Sequence, residues 1–279
     1  MNAQDHTVSG EQFGIWECDI CSLRFTQDVP TEKEIGAYYR AESYISHTNT
    51  RKGIVSQLYQ FVRRITLRQK RRLVEGIVGN QPGRLLDIGC GTGDFLGEMK
   101  RHGWQVQGLE PDAGAAEQAR TRFAISVGEP DDLFSLEGSF TVVSMWHVLE
   151  HVHRLHAYLD RIGEVLDRAG VFLVAVPNYQ SFDADRYTTH WAAYDVPRHL
   201  YHFTPHAMRH LLDAHGFEVT AIRAMPFDAF YVSLLSEKYR TGRLRLLAGF
   251  WTGLRSWLQA RHRADRASAV LYIVRHKAS

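Results

Sequence analysis

The chain predicts an α/β fold, a doubly wound parallel sheet with helices on both faces, and three observations carry that expectation. Short apolar runs alternate with stretches of helical period, the pattern of repeated strand–helix–strand units. The first well-formed run, Arg84-Leu-Leu-Asp-Ile88, leads into glycines at alternate positions, 89, 91 and 93, which open a helix. The next run closes on an acid, Glu110, at the place where a nucleoside-binding unit carries one. With 279 residues the chain can hold one large domain with appendages or two small domains.

In order along the chain, strands are expected over 84–88, 105–110, 124–128, 140–146 and 169–176, with helices over 93–103, 112–122 and 152–168. The third helix is the best patterned, since Leu155, Tyr158, Leu159, Ile162, Val165 and Leu166 share one face. A helix near 205–215 and a strand over 216–222 follow, and the apolar run 269–274 reads as a final strand. Between those two strands, 229–263 reads as a helical insertion. No internal repeat or low-complexity tract interrupts the series.

The glycine loop admits two ligands. A dinucleotide fingerprint, G-x-G-x-x-G, would place its third glycine at 94, where the chain has Asp94. That charge, with Asp87 at the strand end, opposes a pyrophosphate and suits a cofactor carrying positive charge. S-adenosylmethionine carries a sulfonium and an ammonium. The run Asp87-Ile-Gly89-Cys90-Gly91-Thr92-Gly93 resembles the first motif of class I S-adenosylmethionine-dependent methyltransferases. An NAD(P)-dependent oxidoreductase and a non-catalytic S-adenosylmethionine-binding protein stay open as alternatives.

That resemblance implies a Rossmann-like, seven-stranded, mostly parallel sheet closed by an antiparallel last strand, with 269–274 placed to be it. It implies that Glu110, followed by Pro111, accepts the ribose hydroxyls, and that Glu129 or Asp131 meets the adenine amino group. The segment Phe140 to Val152 is similar to the post-strand segment of ubiquinone-type O-methyltransferases and their bacterial relatives. By that likeness Met145, Trp146 and His147 line the cofactor pocket. Some members are thought to hold a divalent metal through an acid, a second acid three residues on and the following histidine. The matching positions are His147, Glu150 and His151; a histidine in the first place disfavours magnesium and would suit zinc or iron better. No metal is therefore assigned, and Glu150 and His151 are read as positioning groups.

The acceptor side is expected over 178–206, where Trp191-Ala-Ala-Tyr-Asp-Val-Pro-Arg-His-Leu-Tyr-His-Phe203 gathers polar and aromatic residues on a loop. Oxygen methylation needs a base, and histidine titrates in the right range. His199 is the first choice and His202 the second, with His151, Trp191, Tyr194, Asp195 and Arg198 against the acceptor; the alternative is a lid braced by an Asp195–Arg198 salt bridge. The expected reaction is O-methylation of a small molecule, lipid or saccharide.

Residues 1–50 form an N-terminal extension ahead of a domain over 51–279. Cys18-Asp-Ile-Cys21 is half of a zinc-ribbon ligand set and resembles a degenerate remnant of one, because tetrahedral zinc wants four ligands and His6 is the one upstream histidine nearby. A net charge of +2 demands no polyanionic partner, and no nucleic acid is expected. Eight basic residues and no acid fall between Arg51 and Arg72, beside an apolar stripe of Ile54, Leu58, Phe61, Val62 and Ile65. Arg240, Arg243, Arg245, Arg255, Arg261 and Arg263 give the insertion a similar bias. Basic helices of this kind show water a solvated cationic face, lie peripherally on an anionic membrane or contact RNA, and no recognised RNA-binding module accompanies the charge. Three cysteines and no visible secretory pattern suit a cytoplasmic setting, with membrane periphery as its variant.

Overall fold

The computed structural model describes residues 1–39, 54–79, 81–225 and 227–278, with backbone alone for 54–63. Its frame is a seven-stranded sheet. The parallel part comprises β4 (Arg84–Ile88), β5 (Gln105–Leu109), β6 (Ser126–Gly128), β7 (Phe140–Trp146) and β8 (Leu166–Pro177). Two further strands, β10 (Phe217–Ala224) and β11 (Ala269–His276), give the order β10-β11-β8-β7-β4-β5-β6. β11 runs antiparallel to both of its neighbours, as the resemblance implied. Leu85, Val142, Val143, Phe172, Leu173 and Val174 are fully buried, because helices cover both faces of a parallel sheet.

Those helices are α1 (Ile54–Val78), α2 (Asp94–Lys100), α3 (Ala113–Phe123), α4 (Leu155–Val165), α5 (Phe182–Tyr187), α6 (Pro205–Ala214), α7 (Asp228–Thr241) and α8 (Leu246–His262). α4 is shorter than its periodicity predicts. Leu166, on the apolar face of the helical pattern, turns to extended geometry and pairs with Phe140. An apolar residue at such a junction satisfies both the helical and the strand period, so sequence alone overruns the boundary. The basic stretch 51–72 falls on α1, and its residues 51–53 lie outside the described residues.

Among the described residues of the N-terminal extension, regular structure is mostly strand. β1 (Asn2–Gln4), β2 (Gln12–Glu17) and β3 (Arg24–Thr26) form an antiparallel meander, completed by β9 (Tyr201–His202) of the acceptor segment. Phe13 and Ile15 alternate into a core with Tyr187, Trp191, Tyr194 and Val196, while exposed Trp16 points the other way. Ile35–Tyr39 makes a short 3-10 helix. Cys18 and Cys21 sit at the β2–β3 turn, where the Cys18 N–H donates to the Leu23 carbonyl at 2.9 Å. Among the described residues they join no group of three metal donors, so the ribbon reading gains no support. His6 lies elsewhere, stacked 4.3 Å from the Tyr239 ring.

One buried carboxyl ties the acceptor segment to the insertion. Asp183 accepts hydrogen bonds from Trp191 Nε1 at 2.8 Å, Ser256 Oγ at 2.6 Å and Ser268 Oγ at 2.7 Å, with no exposure of its own. Asp183→Ala leaves three buried donors unmatched, an expected cost of about 3 kcal/mol and a melting temperature lower by roughly 6–12 °C. Calorimetric melts check this, and an unchanged transition would remove the knot from the account.

Candidate functional site

The site begins at the carboxyl edge of β4 and β5. Glu110, just past β5, accepts the Gly91 N–H at 2.7 Å on one oxygen and the Asp112 N–H at 2.9 Å on the other. That carboxyl fixes the glycine loop against the neighbouring strand. Gly91 sits at φ +53°, and no atom lies within 4 Å of where a Cβ would stand. The loop therefore presents bare backbone to open space, a cradle that a side chain would fill. Gly93 has the opposite reason for being glycine: a Cβ would meet Ala119 Cβ at 2.6 Å, so the residue permits close packing of α2 on α3. Cys90 is buried beneath the loop.

Asp94 corrects one step of the sequence argument. Its carboxyl accepts from Thr92 Oγ1 at 2.6 Å and meets Arg122 Nη2 at 3.3 Å, so its charge is matched locally and says little about a ligand. Asp87 keeps its weight. It is buried, accepts a hydrogen bond from Ser144 Oγ at 2.5 Å, and is raised to about 7 by burial, which the Ser144 bond and the Lys70 charge only partly offset. Lys70, from α1, is lowered to about 8 by burial against the pull of Asp87 and Asp228. Its ammonium stands 3.8 Å from the centre of the Trp146 ring, a cation–π contact. Lys70 was lost in the sequence among its basic neighbours; the available signal was its place about twenty residues before the loop, on a helix that must cross the strand ends.

Met145 is buried in β7, and Trp146 and His147 follow at the strand end. Glu129 is exposed just past β6, with its N–H held by Asp132 at 2.8 Å, and Asp131 is taken by an ion pair to Arg154. Pro111 is exposed at the start of α3.

A second cluster lies beyond β7. His147 Nδ1 is 3.6 Å from Glu150 and Nε2 is 3.5 Å from Asp228, the first residue of α7. Burial opposes a charge on His147, but the Asp228 and Glu150 carboxylates together outweigh it and hold the imidazolium up to about 10. His147 joins no converging group of three donors among the described residues, so the family-type triad of His147, Glu150 and His151 is not assembled here. The donors that do converge are Glu150, His151 and His199, one atom of each lying within 4.8 Å of the others. Glu150 is wholly buried, and neither of its oxygens has a hydrogen-bond partner. His199 Nδ1 lies 2.8 Å from the Ala193 carbonyl, and His151 Nδ1 lies 2.9 Å from the Arg198 carbonyl. Each contact fixes the proton on Nδ1 and leaves Nε2 as the accepting atom. Burial, with His199 beside it, lowers His151 to about 4, and burial lowers His199 as well.

The remaining acceptor-segment residues are mostly structural supports. His202 Nε2 is engaged by Thr26 Oγ1 at 3.0 Å between β3 and β9, so it is bound into the small sheet and is not brought into the donor cluster. Trp191 is the buried anchor on Asp183, and Tyr194 OH accepts from Arg24 at 2.8 Å. Arg198 is buried, pairs with Asp195 and reaches Thr7 Oγ1 at 3.0 Å, the lid-bracing alternative. Asp195 lies 3.8 Å from His199 Nε2 and so still borders the cluster.

Comparison with known proteins converges on this frame. A family model described as a methyltransferase domain matches residues 57–222. A ubiquinone biosynthesis O-methyltransferase of Azorhizobium caulinodans is 29% identical over 158 residues, covering 52% of this chain and 62% of its own. A probable S-adenosylmethionine-dependent methyltransferase of Mycolicibacterium smegmatis is 29% identical over 176 residues, covering 60% and 62%. The chain thus spans about three-fifths of the length of these curated relatives. Among solved structures, the 1,6-didemethyltoxoflavin-N1-methyltransferase of Burkholderia thailandensis superposes with a TM-score of 0.55 at 15% identity, covering 99% and 100% of the two chains. An S-adenosylmethionine-dependent methyltransferase of Archaeoglobus fulgidus gives 0.52 at 19% identity, covering 77% and 94%. At such identities the superpositions show the fold.

The His147 imidazolium yields a sign-specific expectation. A group raised from 6.5 to about 10 contributes stability that is complete below 6.5 and lost as pH rises through 10. The stability margin of the wild type over His147→Gln should therefore shrink between about pH 6 and about pH 10. Paired thermal melts measure it; a margin independent of pH would mean the ring is neutral.

Proposed function

Because this chain belongs to the methyltransferase-domain family, we propose that it transfers a methyl group from S-adenosylmethionine to an acceptor oxygen. The observation that carries the reading is the shared edge. The open backbone at Gly91, the Glu110 carboxyl, the Asp87–Lys70 pair and the His199 cluster all stand at the carboxyl ends of the parallel strands or on the segments that cover them. The fit to the cofactor is one of shape and charge. Gly91 leaves room for close approach, Glu110 has lone pairs left for ribose hydroxyls, Asp87 offers negative charge to an ammonium and Lys70 positive charge to a carboxylate. Trp146 and His147 wall the reacting end, with Met145 buried behind them in the core.

On the acceptor side, His199 receives the hydroxyl proton at Nε2, with its Nδ1–H anchored on Ala193 and Glu150 nearby to stabilise the imidazolium that forms. His151 sits beside it, its ring centroid 4.6 Å from that of His199, and orients the acceptor. In-line transfer to a bound acceptor then relies on proximity and orientation. The acceptor is a small molecule, lipid or saccharide bearing a hydroxyl.

Calorimetry with S-adenosylmethionine and NAD should give micromolar binding of the first and none of the second; the opposite order would install the oxidoreductase reading. Affinity should fall as pH drops through about 7, where Asp87 takes up a proton, and Asp87→Asn should flatten that limb. In a labelled-methyl assay His199→Ala should lose about 10²–10⁴-fold in rate at unchanged cofactor affinity. Cofactor binding without transfer to any hydroxyl-bearing extract fraction would favour a non-catalytic protein.

The unpartnered oxygens of buried Glu150 favour a second reading of the same cluster. Glu150, His151 and His199 would hold one divalent metal of the zinc or iron type, and such an ion supplies Lewis acidity that lowers the pKa of a bound hydroxyl. Equilibrium dialysis against zinc decides between the two: one equivalent lost in Glu150→Gln makes His199 a ligand, and no uptake leaves it the base.

A further inference from the structure

α8 is amphipathic in the reverse sense. Its buried face is Gly249, Thr252, Gly253, Ser256 and Ala260, and its exposed face carries Leu246, Leu247, Phe250, Trp251 and Leu258. The small residues have a structural reason. A Cβ on Gly249 would stand 2.9 Å from Leu234 Cα, and one on Gly253 would stand 2.8 Å from Phe230 Cα, so the backbones of α7 and α8 meet almost directly. Phe250 rests on Phe230, with ring centroids 5.6 Å apart, but the described residues leave Leu246, Leu247 and Trp251 largely exposed. Leu247 is 78% exposed and Trp251 59% exposed. A contiguous outward patch of this kind marks an interaction surface.

Charge identifies the partner. From Lys238 to Ala264 the chain holds seven lysines and arginines and no acid. Arg240, Arg243, Arg245, Arg255 and Arg261 are exposed on the hairpin that carries the patch. Both flanking acids are engaged: Glu237 is wholly buried and bonded to Arg240 at 3.0 Å, and Asp265 pairs with Arg263 at 2.6 Å. Leucine, phenylalanine and tryptophan ringed by arginine match the two layers of an anionic bilayer surface, acyl chains below and phosphates above. A second copy of this chain would bring like charges together, and a nucleic acid would engage the arginines but leave Leu247 and Trp251 in water. No described helix is long and apolar enough to cross a membrane, so the contact is a lying one.

We propose that the outward face of the α7–α8 hairpin docks this protein on membranes containing anionic phospholipid. The proposal goes beyond the methyltransferase reading and holds whatever the acceptor is. It also gives the insertion a place in the site, because α7 begins at Asp228, whose carboxyl lies 3.5 Å from His147. A bilayer under the hairpin touches the same element that walls the cluster.

Flotation of the full chain with phosphatidylcholine vesicles, with and without about 30% phosphatidylglycerol, tests it. The wild type should float with the anionic vesicles alone. Leu247→Ser with Trp251→Ser should cut the partition coefficient at least tenfold, and Arg243→Ala with Arg245→Ala should cut it by roughly fivefold per arginine. Unchanged melting of both double variants shows that the fold is intact. Absence of wild-type flotation overturns the proposal. So does flotation of the serine variant at the wild-type level, which would reduce the surface to a polyanion site, and so does a wild-type dimer in sedimentation that the serine pair splits into monomers.

Discussion

Two hydrogen bonds to one carboxyl hold the glycine loop in place. Glu110 takes the Gly91 N–H from one strand's turn and the Asp112 N–H from its own, and so converts two adjacent strand ends into a single rigid rim. A loop with three positive-φ glycines has little conformational preference of its own. Tied at Gly91, it leaves its backbone turned to open space, and the buried Asp87 behind it gives that space a negative wall. The same acid that would receive a ribose therefore also builds the cradle. Its roles in architecture and in binding cannot be assigned to different residues.

The cluster beyond β7 rests on a different device. The Glu150 carbonyl accepts the Leu200 N–H at 2.8 Å, and the His151 ring meets the Arg198 carbonyl, so the segment after β7 and the acceptor segment are laced together by main-chain groups. Glu150, His151 and His199 are then left with one side-chain donor atom each facing the others. Four ionisable groups share this enclosure with opposite tendencies: His147 is held charged, while His151 and His199 are held neutral around Glu150. Such divergence among neighbours is how one cluster can separate a fixed charge from a proton acceptor.

The frame was legible because it is local. The strand-glycine-helix pattern at 84–95, the acid at 110 and the alternation through 176 each follow from nearest neighbours in sequence, and β4, β5, β7 and β8 stand where periodicity put them. What the sequence concealed is long-range. Nothing near Thr26 announces that its strand pairs with β9, and nothing in the DVPRHLYHF run says that His202 turns to Thr26 while His199 turns to Ala193. His199 lies outside the two-residue strand that carries His202, and that strand is fixed by a partner that the sequence does not mark. Lys70 was hidden for the same reason, since its neighbour Asp87 comes from another element. Asp94 illustrates the reverse error: a charge read as facing a ligand was already matched by Arg122, one helix away.

The pairing of β3 with β9 also governs the order in which the molecule can be assembled. Thr26 meets His202 across 176 positions of chain, so the small sheet cannot close until nearly three-quarters of the polypeptide exists. A ribosome releasing this chain holds β1, β2 and β3 unpartnered along one edge while the large sheet is still growing strand by strand. Closing so long a loop is entropically slow compared with the local βα steps. The small sheet, like the β10–β11 edge whose strands are made later still, therefore closes late, and the outer edge of β3 stays open until it does.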